Sequence, residues 1–246
     1  MTFRHSGKLG DIVYGLCAVK ACRRSTIYLN VNGPFGFQTR DAYAILPLLR
    51  AQEYVVQAEI WRGEPFDHDL DAFRENGAAT PNLADAHLRV MGLSPVWRKQ
   101  SWLSARPTDT PVAHVIFARS LQHRGAPGFW ETCYRSLGAQ AVFVGTDAEH
   151  AAFCQSVGPI RHHLTLNLLD VARAIAGASL FVGNQSCPFA IAEGLKVPAI
   201  QETYGVANCI FEREDALHVA SIQDFPKIEP FLGAVFSKTK QEAMTQ

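Results

Sequence analysis

Short apolar runs recur along the chain, and most are followed by a stretch with the longer apolar spacing of an amphipathic helix. In the first half this pattern predicts strands over residues 1–4 and 26–31 and helices over 11–21 and 42–51. Residues 54–61 read as extended, and 82–91 as a helix with Asn82 at its N-cap. The polar, proline-bearing stretch 103–111, which contains SARPTDTP, reads as a linker. A second series follows, with strands at 112–118, 141–145, 179–182 and 199–201 and helices at 129–137, 148–157, 168–176 and 188–195. Ile228, Phe231, Leu232, Val235 and Phe236 have helical spacing in a last segment that is expected to cross back to the first half. Strands alternating with helices predict an α/β protein built from two Rossmann-like parallel-sheet halves with a ligand cleft between them. The expected units are residues 1–105, residues 106–225, and a C-terminal helix and tail over 226–246.

Composition narrows the partners. The chain has 246 residues, 48% of them hydrophobic, enough to bury a large core. Lys plus Arg equals Asp plus Glu at 23 each, so the summed charge offers no long-range attraction to nucleic acid or anionic lipid. Six cysteines lie scattered without a CxxC pair or a zinc-finger spacing, and the N-terminus MTFRHSGK lacks the apolar core of a signal peptide. A reduced, cytoplasmic protein is the expectation. The most apolar segments are interrupted well before the ~20 residues that a membrane span needs.

Two stretches carry candidate chemistry. In FVGNQSCPFAIAEGLKVPAI, residues 181–200, a buried strand turns at Gly183 into a helix with Pro188 in its first turn. Asn184, Gln185 and Ser186 therefore stand where a helix N-terminus presents backbone donors and a positive dipole end, an anion site in waiting. The plainer reading is that Ser186 or Gln185 only caps the helix. Near the N-terminus, HSGKLGDIVYGLCAVKA again runs from strand through a glycine-bearing loop into a helix, with Asp11 at its mouth, Gly7 and Gly10 allowing close backbone approach, and His5 and Lys8 flanking them. It is not a phosphate-cradling P-loop, because Lys8 is followed by Leu9 and not by Ser or Thr.

The ordered set GDIVYGLCAVKA, VFVGTDAEH and LLDVARAIAGASLFVGNQSCPFAIAEGLKVPAI resembles the ADP-heptose:lipopolysaccharide heptosyltransferase family, glycosyltransferases of the GT-B fold. The resemblance covers the first quarter of the chain and residues 112–202, and leaves 33–106 poorly matched. It implies an inverting, metal-independent transfer of a sugar from a nucleotide-diphosphate donor to a hydroxyl acceptor, with no cofactor. By position, Asp11 matches the family's general base and Glu149 the acidic residue near the donor nucleoside. Arg119, Ser120 and Arg124 fall in the segment that contacts donor phosphates, and Asn184, Gln185 and Ser186 in the donor-phosphate turn. Three positions depart from the pattern: Gln185 replaces an Asp, Cys187 a Gly and Ala190 a His. Those departures leave a non-catalytic nucleotide-sugar-binding module as a rival. A transferase acting on a modified DNA base, as in phage, is a second one, disfavoured by the neutral charge. The acceptor is otherwise open between a glycan and a small molecule.

Other residue types invite bland readings. Adjacent His162 and His163 point to opposite faces of a strand and are poor co-ligands for one ion. The acidic run FDHDLDAF, residues 66–73, lacks the glycine and closing Glu of a calcium loop and reads as a solvated helix start. Trp97, Trp102, Phe129 and Trp130 are candidates for stacking on a sugar or base, with Trp130 better suited to the core. Cys17, on the apolar face of the first helix, reads as core. An ordinary helix-start role is the alternative for Asp11.

Overall fold

The computed structural model describes residues 1–75, 82–122, 125–205 and 208–244. Its first half runs β1 (Thr2–His5), α1 (Leu9–Cys22), β2 (Ser25–Leu29), α2 (Thr39–Arg50), β3 (Val55–Ile60), β4 (His68–Asp69) and α3 (Leu83–Val90). The four strands pair in the order β3-β2-β1-β4, every pairing parallel. The second half runs β5 (Val115–Ala118), α4 (Phe129–Leu137), β6 (Ala141–Phe143), α5 (Asp147–Ser156), β7 (Arg161–His162), α6 (Leu168–Ala176), β8 (Leu180–Asn184), α7 (Cys187–Leu195), β9 (Ala199–Glu202), β10 (Ala216–Val219) and α8 (Ile228–Met244). Its six strands are also all parallel, in the order β10-β9-β8-β5-β6-β7. This is the α/β arrangement of two parallel-sheet halves expected from the alternating pattern.

Burial explains the sequence character of each element. Every residue of β5, β8 and β9 is buried, as central strands of a sheet covered on both faces must be. Helix α1 is buried continuously from Ile12 to Val19, which is why its sequence is apolar on all sides and not in one stripe. It packs against both α3 and α7, while α2 packs against α6. One hydrophobic cluster therefore runs through both halves, from Phe3 and Leu16 to Phe181 and Ile191. A second cluster, around Phe117, Trp130 and Phe153, covers the outer face of the second sheet.

Two expectations need correction. The last helix does not cross back: Ile228 and Leu232 of α8 join the outer cluster of the second half, where Phe129 and Leu180 give them apolar partners. The acidic run is not a solvated helix start either. Its His68 and Asp69 form β4 against Phe3 and Arg4 of β1, and a 3-10 turn, Leu70–Arg74, follows. The acidic side chains find donors on the neighbouring strand: Asp67 accepts from Thr2 N at 2.8 Å, and Asp69 pairs with Arg4. Among the described residues no helix is long and apolar enough to cross a membrane.

Candidate functional site

A cavity of about 1300 Å³ opens where the carboxyl ends of both sheets meet, the place where open parallel sheets bind ligands. The first half contributes Lys8 to Asp11 and Tyr14 after β1, Pro34 to Phe37 after β2, and Phe73 and Arg74 after β4. The second half contributes Ser120 to Gln122 after β5, Thr146 and Glu149 after β6, and Gln185 to Pro188 after β8. Gly10 sits on the seam: a Cβ there would lie 3.8 Å from Cys187 Cα, so the first turn of α1 abuts the first turn of α7.

Asp11 is held on two sides. Its Oδ2 accepts from Lys8 N at 3.3 Å, closing the first turn of α1, and pairs with the Arg74 guanidinium. Arg74 lies 3.9 Å above the Phe35 ring and 4.3 Å from the Phe73 ring, and its Nη1 approaches Asp71 Oδ1 at 3.5 Å. Asp71 in turn accepts from Ser6 N at 2.9 Å and from Ser6 Oγ, and lies 2.9 Å from His5 Nδ1. Burial alone would push the Asp71 carboxyl up, but these hydrogen bonds from His5 and Ser6 outweigh it and hold the group at about 2.

Behind Asp71 lies a buried histidine pair. The Leu83 carbonyl can only accept, so His87 Nδ1, 2.8 Å from it, carries a proton. Burial pushes His87 down to about 3, with the neighbouring His5 adding to the effect, so its Nε2 is a lone-pair acceptor at neutral pH. His5 Nε2 lies 3.2 Å from it, while His5 Nδ1 lies 2.9 Å from Asp71. His5 is thus fully buried under the loop and not a cleft residue. Gly7 is required for a related reason: a Cβ would fall 2.6 Å from the His5 ring and 3.0 Å from Arg74, so its missing side chain makes room for protein and not for ligand.

In the second half, Asn184 is completely buried and acts as a clamp. Its Oδ1 accepts from Ser120 N at 3.0 Å, and its Nδ2 donates to Ser120 O at 3.1 Å and Gln122 O at 2.8 Å, tying the β5 loop to the end of β8. Gln185 lines the cavity and its Oε1 accepts from Tyr204 N at 3.1 Å. Ser186 occupies the N-cap position of α7, yet its Oγ donates back to Asn184 O at 3.1 Å and makes no side-chain cap. The expected capping role of that serine is therefore not what the turn does. Glu149 closes a capping box with Thr146, accepting from its N at 2.8 Å and Oγ at 2.9 Å, while also lining the cavity. Arg119 points to α5, donating to Ser156 Oγ at 3.3 Å, with its guanidinium 5.4 Å from the Trp130 ring. Arg124 lies outside the described residues. Glu202 is buried at the end of β9, where it accepts from Gly125 N at 3.0 Å and Trp130 Nε1 at 2.7 Å and so anchors the far end of the β5 loop; burial raises its carboxyl despite these bonds.

The structure thus gathers Lys8, Gly10, Asp11, Ser120, Glu149, Gln185 and Ser186 around one cavity, and places His5 and Asn184 beneath it as supports. None of the four suspected stacking aromatics lines it; Trp102, Phe129 and Trp130 are core, and the aromatic lining is Tyr14, Phe35, Phe37, Phe73 and Tyr204. Arg74 has no place in the sequence reading, and Asp71 enters it only as part of the acidic run. The available signal was the strand hidden in the acidic run, which puts both at the carboxyl end of a sheet. Burial pushes the Cys17 thiol up to about 12, and burial plus the nearby Asp11 charge does the same for Cys187, away from the thiolate that a nucleophile needs. His162 Nε2 donates to Gly145 O at 3.0 Å while its ring stacks on His150, and among the described residues no His, Cys, Asp and Glu cluster could hold a metal.

No family model matches the chain, and no curated protein does. Solved structures share its fold. The ADP-heptose lps heptosyltransferase II of E. coli aligns with a TM-score of 0.60 over 98% of this chain and 99% of its own, at 11% identity. E. coli heptosyltransferase WaaC with ADP-2-deoxy-2-fluoro heptose gives 0.58 over 95% and 99%, also at 11% identity. A glycosyl transferase family 9 protein from Veillonella parvula DSM 2008 gives 0.54 over 94% and 89%, at 12% identity. The two-sheet architecture is the GT-B-like fold of these glycosyltransferases.

Proposed function

We propose that the protein transfers a sugar from a nucleotide-diphosphate donor to a hydroxyl acceptor within this cavity. One observation carries the reading: the Asp11 carboxylate and the N-terminus of α7 face the same space from opposite halves of the fold, with Gly10 and Cys187 in contact between them. Glycosyl transfer asks for that pairing, a carboxylate to take the acceptor proton and a preorganised positive end to meet the charge that grows on the departing diphosphate. The structural neighbours described with ADP or an ADP-heptose analogue support a donor of the same chemical class.

In this reading Arg74 and Lys8 N both hold Asp11 through Oδ2, and Oδ1 takes the proton from the acceptor hydroxyl as that oxygen attacks the anomeric carbon. A single base acting on one face gives inversion. The N–H groups at the start of α7, with Ser186 and Ser120, receive the diphosphate, Glu149 stands at the nucleoside end, and no metal is needed. The resemblance also assigns Arg119 and Arg124 to the donor segment, but Arg119 reaches Ser156 of α5 and does not line the cavity. The alternative of a binding module without catalysis has one observation in its favour: Gln185, which stands for the family's Asp, spends its side-chain oxygen on Tyr204 N.

Asp11→Asn separates the two readings. In the presence of donor and a hydroxyl acceptor, product formation falls by ~10²–10⁴-fold while nucleotide affinity is kept. A wild-type chain that binds nucleotide sugar and forms no product with any acceptor, even as slow hydrolysis, overturns the enzyme reading in favour of the module.

A further inference from the structure

The first-half wall of the cavity has a composition that selects for charge. Phe35 is half-buried and lines the space, with Phe37 and Phe73 behind it, 3% and 8% exposed. Arg74 is the cation nearest these rings, and it is already engaged: it pairs with Asp11, approaches Asp71 at 3.5 Å and lies between Phe35 and Phe73. Its Nη2 donates to Asp11 and its Nη1 is buried from solvent without a hydrogen-bond partner, which leaves few donors for a phosphate in the cavity to reach. Asp41 adds a further carboxylate to the wall, its Oδ2 closing the first turn of α2 and its Oδ1 3.7 Å from the outward Arg40. Glu149 faces it from the other half, and Lys8 is the remaining cation of the described lining, exposed at the rim.

Aromatic faces beside carboxylates suit a hydroxylated ring. The apolar C–H face of a pyranose packs on an aromatic ring, and its hydroxyls donate charge-assisted hydrogen bonds to carboxylates. The same carboxylates repel a phosphate or carboxylate on the acceptor, in a space where low-dielectric walls strengthen that repulsion. We propose that the Phe35, Phe37 and Phe73 wall is the acceptor subsite and that it takes a neutral saccharide, excluding phosphorylated or acidic ones. The assignment rests on the transferase reading for the word acceptor, but its binding chemistry stands on the wall alone.

Saturation-transfer difference NMR on the full chain tests it, with the methyl glycosides of glucose, galactose and mannose as probes, each beside its 6-phosphate. At least one neutral glycoside shows ring-proton saturation, its 6-phosphate shows about fivefold less, Phe35→Ala removes most of the neutral signal, and Phe35→Tyr restores it. Asp41→Asn narrows the gap between glycoside and phosphate. Saturation absent from every neutral probe, equal or stronger for the phosphates, or unchanged in Phe35→Ala overturns the proposal. A nucleoside diphosphate titration of the same samples keeps the failures apart: nucleotide binding with phosphate-preferring probes sinks the neutral subsite alone, whereas neutral probes binding without any nucleotide sinks the transferase reading alone.

Discussion

At the scale of single residues, the site is organised by a chain of contacts running inward from Asp11 through Arg74 and Asp71 to His5 and His87. Two of these groups make stability depend on pH, in windows that overlap between about 3 and 3.8. The unfolded chain protonates His87 at its ordinary 6.5, but the folded chain does not until about 3, so acid favours unfolding across that interval. Urea unfolding should show stability falling as pH drops from about 6.5 toward 3, by at most ~1.4 kcal/mol per pH unit, and His87→Gln should flatten that slope. Asp71 acts lower: with its folded value held at about 2 against an ordinary 3.8, its contribution is complete above 3.8 and is lost as pH falls through 2. Asp71→Asn should remove that lower limb and leave the upper one. Little of this network was legible beforehand. His87 sits in LADAHLRV with Leu83, Ala84 and Val90 on its own helix face, but nothing in the sequence pairs it with His5 or with Phe73, whose ring centroid lies 4.2 Å from its own.

At the scale of elements, the strand-turn-helix units at both ends of the site were readable because each is local. The end of β8, the turn at Gln185 and Ser186 and a helix with Pro188 in its first turn lie within a dozen residues, and short-range stereochemistry dictates them, although Gly183, expected at the turn, stays in the strand, paired with Ala118 and Gln201. The β4 segment was not readable, because its partner is β1, some 65 positions away, and the acidic side chains that mark it as solvated are neutralised only by that pairing. Asn184 shows how one element positions another. Asn184→Ala removes the clamp on Ser120 and Gln122, and should cost about 1–3 kcal/mol of stability and weaken nucleoside diphosphate binding about tenfold, read by calorimetry. A buried charge group plays the equivalent role on the other side of α7. Glu193 is fully buried between Lys196 and Arg213, and Lys196 also donates to Arg98 O at 2.7 Å. Glu193→Gln should destabilise the chain by ~3–5 kcal/mol in equilibrium unfolding, because it leaves Lys196 without its carboxylate in a desolvated position and Arg213 with Asp215 alone.

At the scale of the whole molecule, the two sheets are joined by α1 against α7 and α2 against α6, so their carboxyl ends open onto a common cavity. That packing follows from residues the sequence marks plainly, the all-apolar face of α1 and the small residues of AIAEG in α7. It leaves Asp11 and the N-terminus of α7 in one space. The central claim is that a nucleotide diphosphate occupies the α7 end of that space. Thermal unfolding of the full chain with ADP, UDP, GDP, CDP and dTDP, each with magnesium and with EDTA, tests it most directly. The account predicts stabilisation by one of them, about 2.7 kcal/mol at ~100 times its dissociation constant, indifferent to magnesium and weakened in Ser186→Ala. No stabilisation by any nucleotide, or a stabilisation that Ser186→Ala leaves intact, would contradict it.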